Sequence, residues 1–528
     1  MAAPLARRLP AERSAPPRDL EIRPKQVRAW IESLPLAQSV EAGRKMVAHL
    51  VAVNRAKVDI DDRIQILDIY RPFANTLLEE LDAIYSKASL PLGARAREAL
   101  GVARELAFAL ADGFKISIGD KTAKLIAFGA KKQVPVLVLR TMEYLGAELR
   151  AGYKSYSPVP PAIWNEMHQL YLYAESEGFA TEVADPESKA TVMDAYCEAL
   201  LLSLTDPYRL VPGEAERIIA QIRAGRGSVT LGQARPATRP GGHFLVPCDT
   251  DRPPKPLLSA NDHAGGPNWR LLDTNPLVDK LKARKAAHET GNVSQTTSRS
   301  MTPDGLTTLA KLITLWGDPP KRAHRRDPME TSVAICFGLK SIGHFISVGT
   351  QVDAAAQAET IRAGITIPLL AMPDDESTKL HPVFEWDVVN QSAGGLKVRR
   401  NSATQQTLAV GELVGIKAIG KTQWAIGVAR WITVLEDGGM EFGLQFLAPA
   451  ACAVWVNPVG SGTPQAKGGV LLANGEDALT SESLLTPPGT YAETREYDLR
   501  GEDLVSRVRS AGLIEKTSRF ELFHVSPS

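Results

Sequence analysis

The chain has 528 residues, 44% of them hydrophobic, which allows three or four domains with ordinary cores and argues against wholesale disorder. Lys and Arg number 61 against 60 Asp and Glu, so a chain-wide affinity for DNA, RNA or acidic membrane is excluded and any anion site must be local. No run of about 18 apolar residues occurs, so no membrane span is expected. Cys197, Cys248, Cys336 and Cys452 stand far apart without a Cys-x-x-Cys pair, which fits reduced thiols in a cytoplasmic protein.

Residues 1–24 carry five arginines and five prolines but no apolar core, and read as a disordered leader rather than a signal peptide. From 25 to 224 the period is helical. Val27, Trp30, Ile31 and Leu34 fall on one face, and Leu100, Ala103, Leu106 and Leu110 mark another segment. Successive helices with short connectors predict an all-α bundle or a helix-pair solenoid. Residues 225–318 are dense in glycine and proline at first and read as a linker or irregular unit ending in a helix. Thr302 is its N-cap, Pro303 suits the first turn, and Gly317 with Pro319-Pro320 stops it.

Beyond 319 the period switches toward two. Short runs separated by glycine turns, among them Ser332–Gly338, His344–Gly349, Phe384–Asn390 and Met440–Leu447, predict a small closed β-barrel over 319–458. Residues 351–383 interrupt the series as an insertion. After the soft stretch 459–464, residues 468–528 read as an additional small β-unit. The expected fold class is therefore multidomain α+β.

Two motifs attach to the barrel. Arg322 and Arg326 stand four apart in the basic loop Lys321-Arg322-Ala323-His324-Arg325-Arg326, and Asn390-Gln391-Ser392-Ala393-Gly394-Gly395 joins two strands. Guanidinium forks suit phosphate oxygens and the acceptor edge of guanine. The turn offers short polar side chains and a backbone that a flat base can approach. Together they suit a guanine-bearing phosphodiester.

Arg322-x-x-x-Arg326 followed by Asn390-x-Ser392-x-x-Gly395, and then by Gly427-Val428-Ala429-Arg430-Trp431 and Glu441-Phe442-Gly443-Leu444-Gln445-Phe446, resembles the PilZ-domain receptors for cyclic di-GMP. The resemblance covers roughly residues 319–450. It implies a PilZ-like barrel in which Arg322 and Arg326 grip phosphates and guanine, while Arg325 raises the local potential of the ligand site. Asn390 and Ser392 hydrogen-bond a guanine edge, and Gly395 leaves room for turn and ligand. Arg399 and Arg400 are expected to face the same ligand.

Other chemistry is missing. Gly113–Thr122 looks like a phosphate loop, but its spacing is wrong and Asp120 precedes the lysine. No zinc-protease helix, zinc cysteine spacing or marked carboxylate pair occurs, so neither an enzyme nor a metal cofactor is expected. The reading is a bacterial-type signalling receptor in which nucleotide binding changes the domain arrangement and the contact of the helical domain with a protein partner. The alternative is a scaffold whose PilZ-like barrel is degenerate and binds no nucleotide.

Overall fold

A computed structural model describes residues 12–123, 130–233, 241–257, 266–289, 303–320, 324–347, 381–401, 407–460, 466–473, 482–501 and 504–528. The chain divides into two compact units, Met1–Lys321 and Arg322–Ser528.

The first unit is a helical body. α1 (Pro24–Glu32), α2 (Ser39–Arg55), α3 (Ile60–Tyr85), α4 (Ala94–Ala123), α5 (Ala130–Lys154), α6 (Ile163–Ser176), α7 (Val192–Ser203) and α8 (Glu214–Ala224) follow one another through short connections. Two of the starts are capped by side chains. Asp59 caps α3 by accepting from the Asp61 amide, and Thr191 and Asp194 form a reciprocal capping box on α7. Val27 and Ile31 are fully buried, as the period requires. Gly43 lets α2 approach α4, since a methyl there would sit 2.5 Å from Val102 Cγ1. The phosphate-loop look-alike lies inside α4, where Lys115 is buried in ion pairs with Asp112 and Glu166.

Two expectations for this unit are corrected. The leader is tied down from residue 12 onward. Ser14 bonds the backbone of α2's end in both directions, and Arg13 forks onto Asp120 at 2.5 and 2.6 Å; residues 1–11 lie outside the described residues. The span 225–318 is no linker. It holds β1 (Thr230–Gln233), β2 (His243–Pro247), β3 (Lys255–Pro256) and β4 (Trp269–Asp273) in one antiparallel sheet of order β1-β4-β2-β3, then α9 (Asn275–Glu289) and α10 (Pro303–Gly317). Phe244, Val246, Leu272, Leu277, Leu309 and Trp316 join the helical core. The Trp316 indole donates to the Leu201 carbonyl at 3.1 Å. β2 is buried along its whole length, and so short a strand acquires its conformation from this burial, which local pattern does not encode.

His168 gives this core a pH dependence. Its ring is fully buried, Nε2 donates to the Arg252 carbonyl at 2.9 Å, and Nδ1 lies 2.5 Å from the Tyr196 hydroxyl. Burial pushes its pKa down to about 4. The unfolded chain therefore binds a proton near pH 6.5 that the folded chain refuses until about pH 4. The stabilisation is complete above 6.5 and is lost as pH falls through that window. Urea unfolding of the full chain should show about 3 kcal/mol lost between pH 6.5 and 4 from this group, and His168→Gln should flatten that part of the profile. An unchanged profile in the variant excludes His168 as the source.

The second unit holds two closed six-stranded barrels. The first contains β5 (Asp327–Phe337), β6 (Phe384–Ser392), β7 (Gly395–Arg400), β8 (Leu413–Ala418), β9 (Ala425–Val434) and β10 (Met440–Ala448), closed in the order β10-β7-β6-β5-β8-β9. The second contains β11 (Ala450–Pro458), β12 (Lys467–Ala473), β13 (Glu482–Thr486), β14 (Glu496–Arg500), β15 (Val505–Lys516) and β16 (Glu521–Pro527), closed in the order β11-β12-β13-β16-β15-β14. Residues 450–458 therefore belong to the second barrel, and the soft stretch after them connects β11 to β12 instead of separating units. Residues 339–347 form a helix, α11, where a strand from His344 was expected. Ile342 and Ile346, four apart, are its buried face, and Phe345 stacks on Trp424 at 5.1 Å. The insertion read at 351–383 falls between α11 and β6 and, up to 380, lies outside the described residues.

Candidate functional site

The site is built by strand pairing. β5 runs antiparallel to β6 with Asp327 opposite Gln391 and Pro328 opposite Asn390. Arg326 directly precedes Asp327, so the exit of the basic loop lies beside the Asn390–Gly395 turn although the two are distant in sequence. A side-chain contact closes the same gap: a methyl group on Gly394 would lie 3.2 Å from the His324 ring. Residues 324–330 are exposed. Arg325 Nε is 3.4 Å from Asp327, while Arg326 forms no ion pair among the described residues. Arg322, with Lys321 and Ala323, lies outside the described residues.

The turn itself is tightly determined. The Ser392 hydroxyl donates to the Gly395 carbonyl at 3.3 Å, which leaves its lone pairs free to accept. Gly395 differs from its expected role. A methyl there would sit 2.0 Å from the Leu444 carbonyl oxygen, so the glycine makes room for the backbone of β10. The Phe446 amide also donates to the Gly394 carbonyl at 3.0 Å. Gly395→Ala must therefore push β7 off β10. We expect a destabilised barrel, costing about 1–3 kcal/mol in urea unfolding, together with weakened ligand binding. A variant as stable as the parent contradicts this close approach.

The face next to the turn continues it. Asn390 pairs with Lys397, Lys397 with Gly443, and Gly443 with Trp431, across four strands. Gly443 has no side chain, and the Trp431 indole occupies that place; a methyl there would meet it at 1.9 Å. Lys397 Nζ lies 5.8 Å from the Trp431 ring centre and 2.8 Å from Glu441. Arg399 also binds Glu441, through Nε at 2.7 Å. Burial pushes the Glu441 carboxyl up, but the hydrogen bonds from Lys397 and Arg399 outweigh it and hold the group below the usual carboxylate range. Two cations on one carboxylate leave one net positive charge beside Asn390. A cationic, aromatic-floored face adjoining a polar turn can take phosphate and a stacked base.

Of the arginines expected to face a ligand here, Arg399 shares this face. Arg400 points the other way, its guanidinium 5.1 Å from the Phe384 ring centre, because successive strand residues alternate. Lys397 and Trp431 were not singled out from sequence. Their signal was the alternation from Asn390 through β7 and the glycine opposite the tryptophan, both legible only once the pairing is known.

A family model described as "Cyclic-di-GMP receptor FimW, N-terminal domain" matches residues 25–236, and another, "Cyclic-di-GMP receptor FimW, middle PilZ domain", matches 243–363 and 370–452. The chain belongs to the PilZ-domain cyclic-di-GMP receptor family. The family match extends well upstream of the resemblance seen at 319–450, taking in β2 to β4, α9 and α10. A curated relative, the "Cyclic-di-GMP receptor FimW" of Pseudomonas aeruginosa, is 24% identical over 485 residues, covering 81% of this chain and 77% of the relative. No solved structure matches the chain. Among the described residues, no helix is long and apolar enough to cross a membrane.

Proposed function

We propose that this chain is a cytoplasmic receptor that binds cyclic di-GMP between the basic loop and the Asn390–Gly395 turn. Arg322, Arg325 and Arg326 hold phosphates and guanine acceptor atoms, Asn390 and Ser392 bond a guanine edge, and Lys397 and Trp431 extend the platform. The observation that carries this reading is the β5–β6 register, which sets the loop's exit against Asn390 and Gln391. The family relationship supplies the ligand.

The loop is also the covalent link between α10, which ends at Gly317, and β5, which starts at Asp327. A dianion held by this loop acts on the connection between the two units. Ligand binding is thereby coupled to domain arrangement. The helical unit offers a place for a protein partner. A cavity of about 680 Å³ opens among α3, α5, α7 and α8, with Arg71, Glu143, Arg150, Glu198 and Arg223 on its walls, a mixed-charge lining suited to a polypeptide. Isothermal titration of the full chain with cyclic di-GMP tests the sensing claim. Saturable heat at micromolar ligand is the expected result, and its absence leaves the scaffold with a degenerate barrel as the correct reading.

A further inference from the structure

The two barrels of the second unit share one wiring. Numbered from one to six in chain order, the strands of the first pair as 1-2-3-6-5-4 and back to 1. Those of the second pair as 1-2-3-6-5-4 and back to 1 as well. A simple meander would read 1-2-3-4-5-6, so the jumps from 3 to 6 and from 4 to 1 are specific features. Each barrel also carries two register shifts in its fifth-to-sixth strand pair. The family match ends at residue 452, so all but the first three residues of the second barrel lie beyond it.

The repeat lacks what makes the first barrel a nucleotide site. Only Pro449 separates β10 from β11, which leaves no loop ahead of its first strand. Residues 450–528 contain neither an Arg-x-x-x-Arg nor an Asn/Asp-x-Ser-x-x-Gly sequence. It is nevertheless built into the sensor. Trp424, Ile426 and Val428 of the first barrel share one apolar cluster with Val470, Leu472, Phe520 and Leu522 of the second. Arg519 pairs with Glu412.

One polar connection reaches from this joint to the nucleotide turn. Gln445 pairs with Gly395 across β10 and β7. Its side-chain oxygen accepts from Arg430 Nε at 2.8 Å, and the two terminal nitrogens of Arg430 fork onto Glu515 of β15 at 2.6 and 2.8 Å. Both partners of this fork are half-buried, and its two parallel charge-assisted bonds make it geometrically strict.

We propose that residues 450–528 are a second PilZ-type barrel without a nucleotide site, coupled to occupancy of the Asn390–Gly395 turn through Gln445, Arg430 and Glu515. This rests on the sensing function proposed above. The second barrel is the read-out body: ligand that fixes the turn fixes β10, and the Arg430 fork passes that restraint to β15. Coupling is reciprocal, so loosening the fork alters nucleotide affinity from a distance.

The test is hydrogen–deuterium exchange on the full chain with and without saturating cyclic di-GMP, paired with titration. In the parent, amides over 505–527 should slow by about fivefold or more on saturation. Glu515→Gln should still bind nucleotide with an affinity shifted by about fivefold or more, and should lose that protection. The exchange Arg430→Glu with Glu515→Arg should restore it, which a general loss of stability would not do. Nucleotide binding with unchanged exchange over 505–527 overturns the coupling and leaves the sensing function standing. A second binding isotherm that survives Arg326→Ala overturns the claim that the repeat has no site. Absence of binding in the parent overturns both the sensing function and the coupling.

Discussion

Replacing Arg326 by alanine should raise the Kd for cyclic di-GMP by about 5- to 150-fold, the equivalent of about 1–3 kcal/mol for one bidentate guanidinium contact. The structure makes this substitution unusually clean. Arg326 is exposed and has no ion-pair partner among the described residues, so its loss removes nothing that holds the barrel together. Unfolding stability should stay within about 0.5 kcal/mol of the parent, and a fall in affinity can then be assigned to the ligand contact. Arg326→Lys keeps the charge but not the planar fork, and should recover only part of the affinity. Arg325→Ala should matter less, because Arg325 already leans on Asp327. Added salt should weaken binding in the parent more than in Arg326→Ala, since one phosphate contact fewer is screened. Titration calorimetry at two ionic strengths reads all of this, and an unchanged Kd in Arg326→Ala removes the basic loop from the site.

How far the sequence foretells this molecule depends on whether the signal is local. The face of α1 repeats every three to four residues, and its buried members, Val27 and Ile31, are among those the period selects; α4 buries Leu100, Ala103, Leu106 and Leu110 as the period requires, but also Val102, Ala109 and Phe114, because neighbours cover it on several sides. The stop at Gly317 and the Asn390–Gly395 turn are equally local, and so is the order of the two motifs. Reading fails where distant pairing decides. His344–Gly349 alternates well enough for a strand, yet Ile342 and Ile346 face the core of the second unit one helical turn apart. Short apolar runs do not distinguish these cases. Residues 459–464 have the composition of a boundary, yet the strands on either side, β11 and β12, pair with each other in one barrel. Gly395 is legible as a glycine the turn needs, but the Leu444 carbonyl that demands it lies on another strand. The platform formed by Lys397 and Trp431 exists only because β7 and β9 flank β10, and the matching circuits of the two barrels are invisible without the pairings.

Lys115→Met should destabilise the helical unit by about 3–5 kcal/mol. Lys115 has no solvent exposure, and its ammonium lies 2.7 Å from Asp112 and 2.8 Å from Glu166. Asp112 reaches solvent and can be hydrated once the lysine is gone. Glu166 cannot, being 3% exposed. The variant therefore leaves a buried carboxylate with its counter-charge removed. Adding Glu166→Leu removes the stranded charge and should recover most of the lost stability. Such reversal marks a pair whose members are tolerable together and intolerable apart. Urea unfolding of the two single variants and the double closes the cycle. If the double variant is destabilised by the sum of the singles, Lys115 and Glu166 act independently and the buried pair does not organise this part of the core.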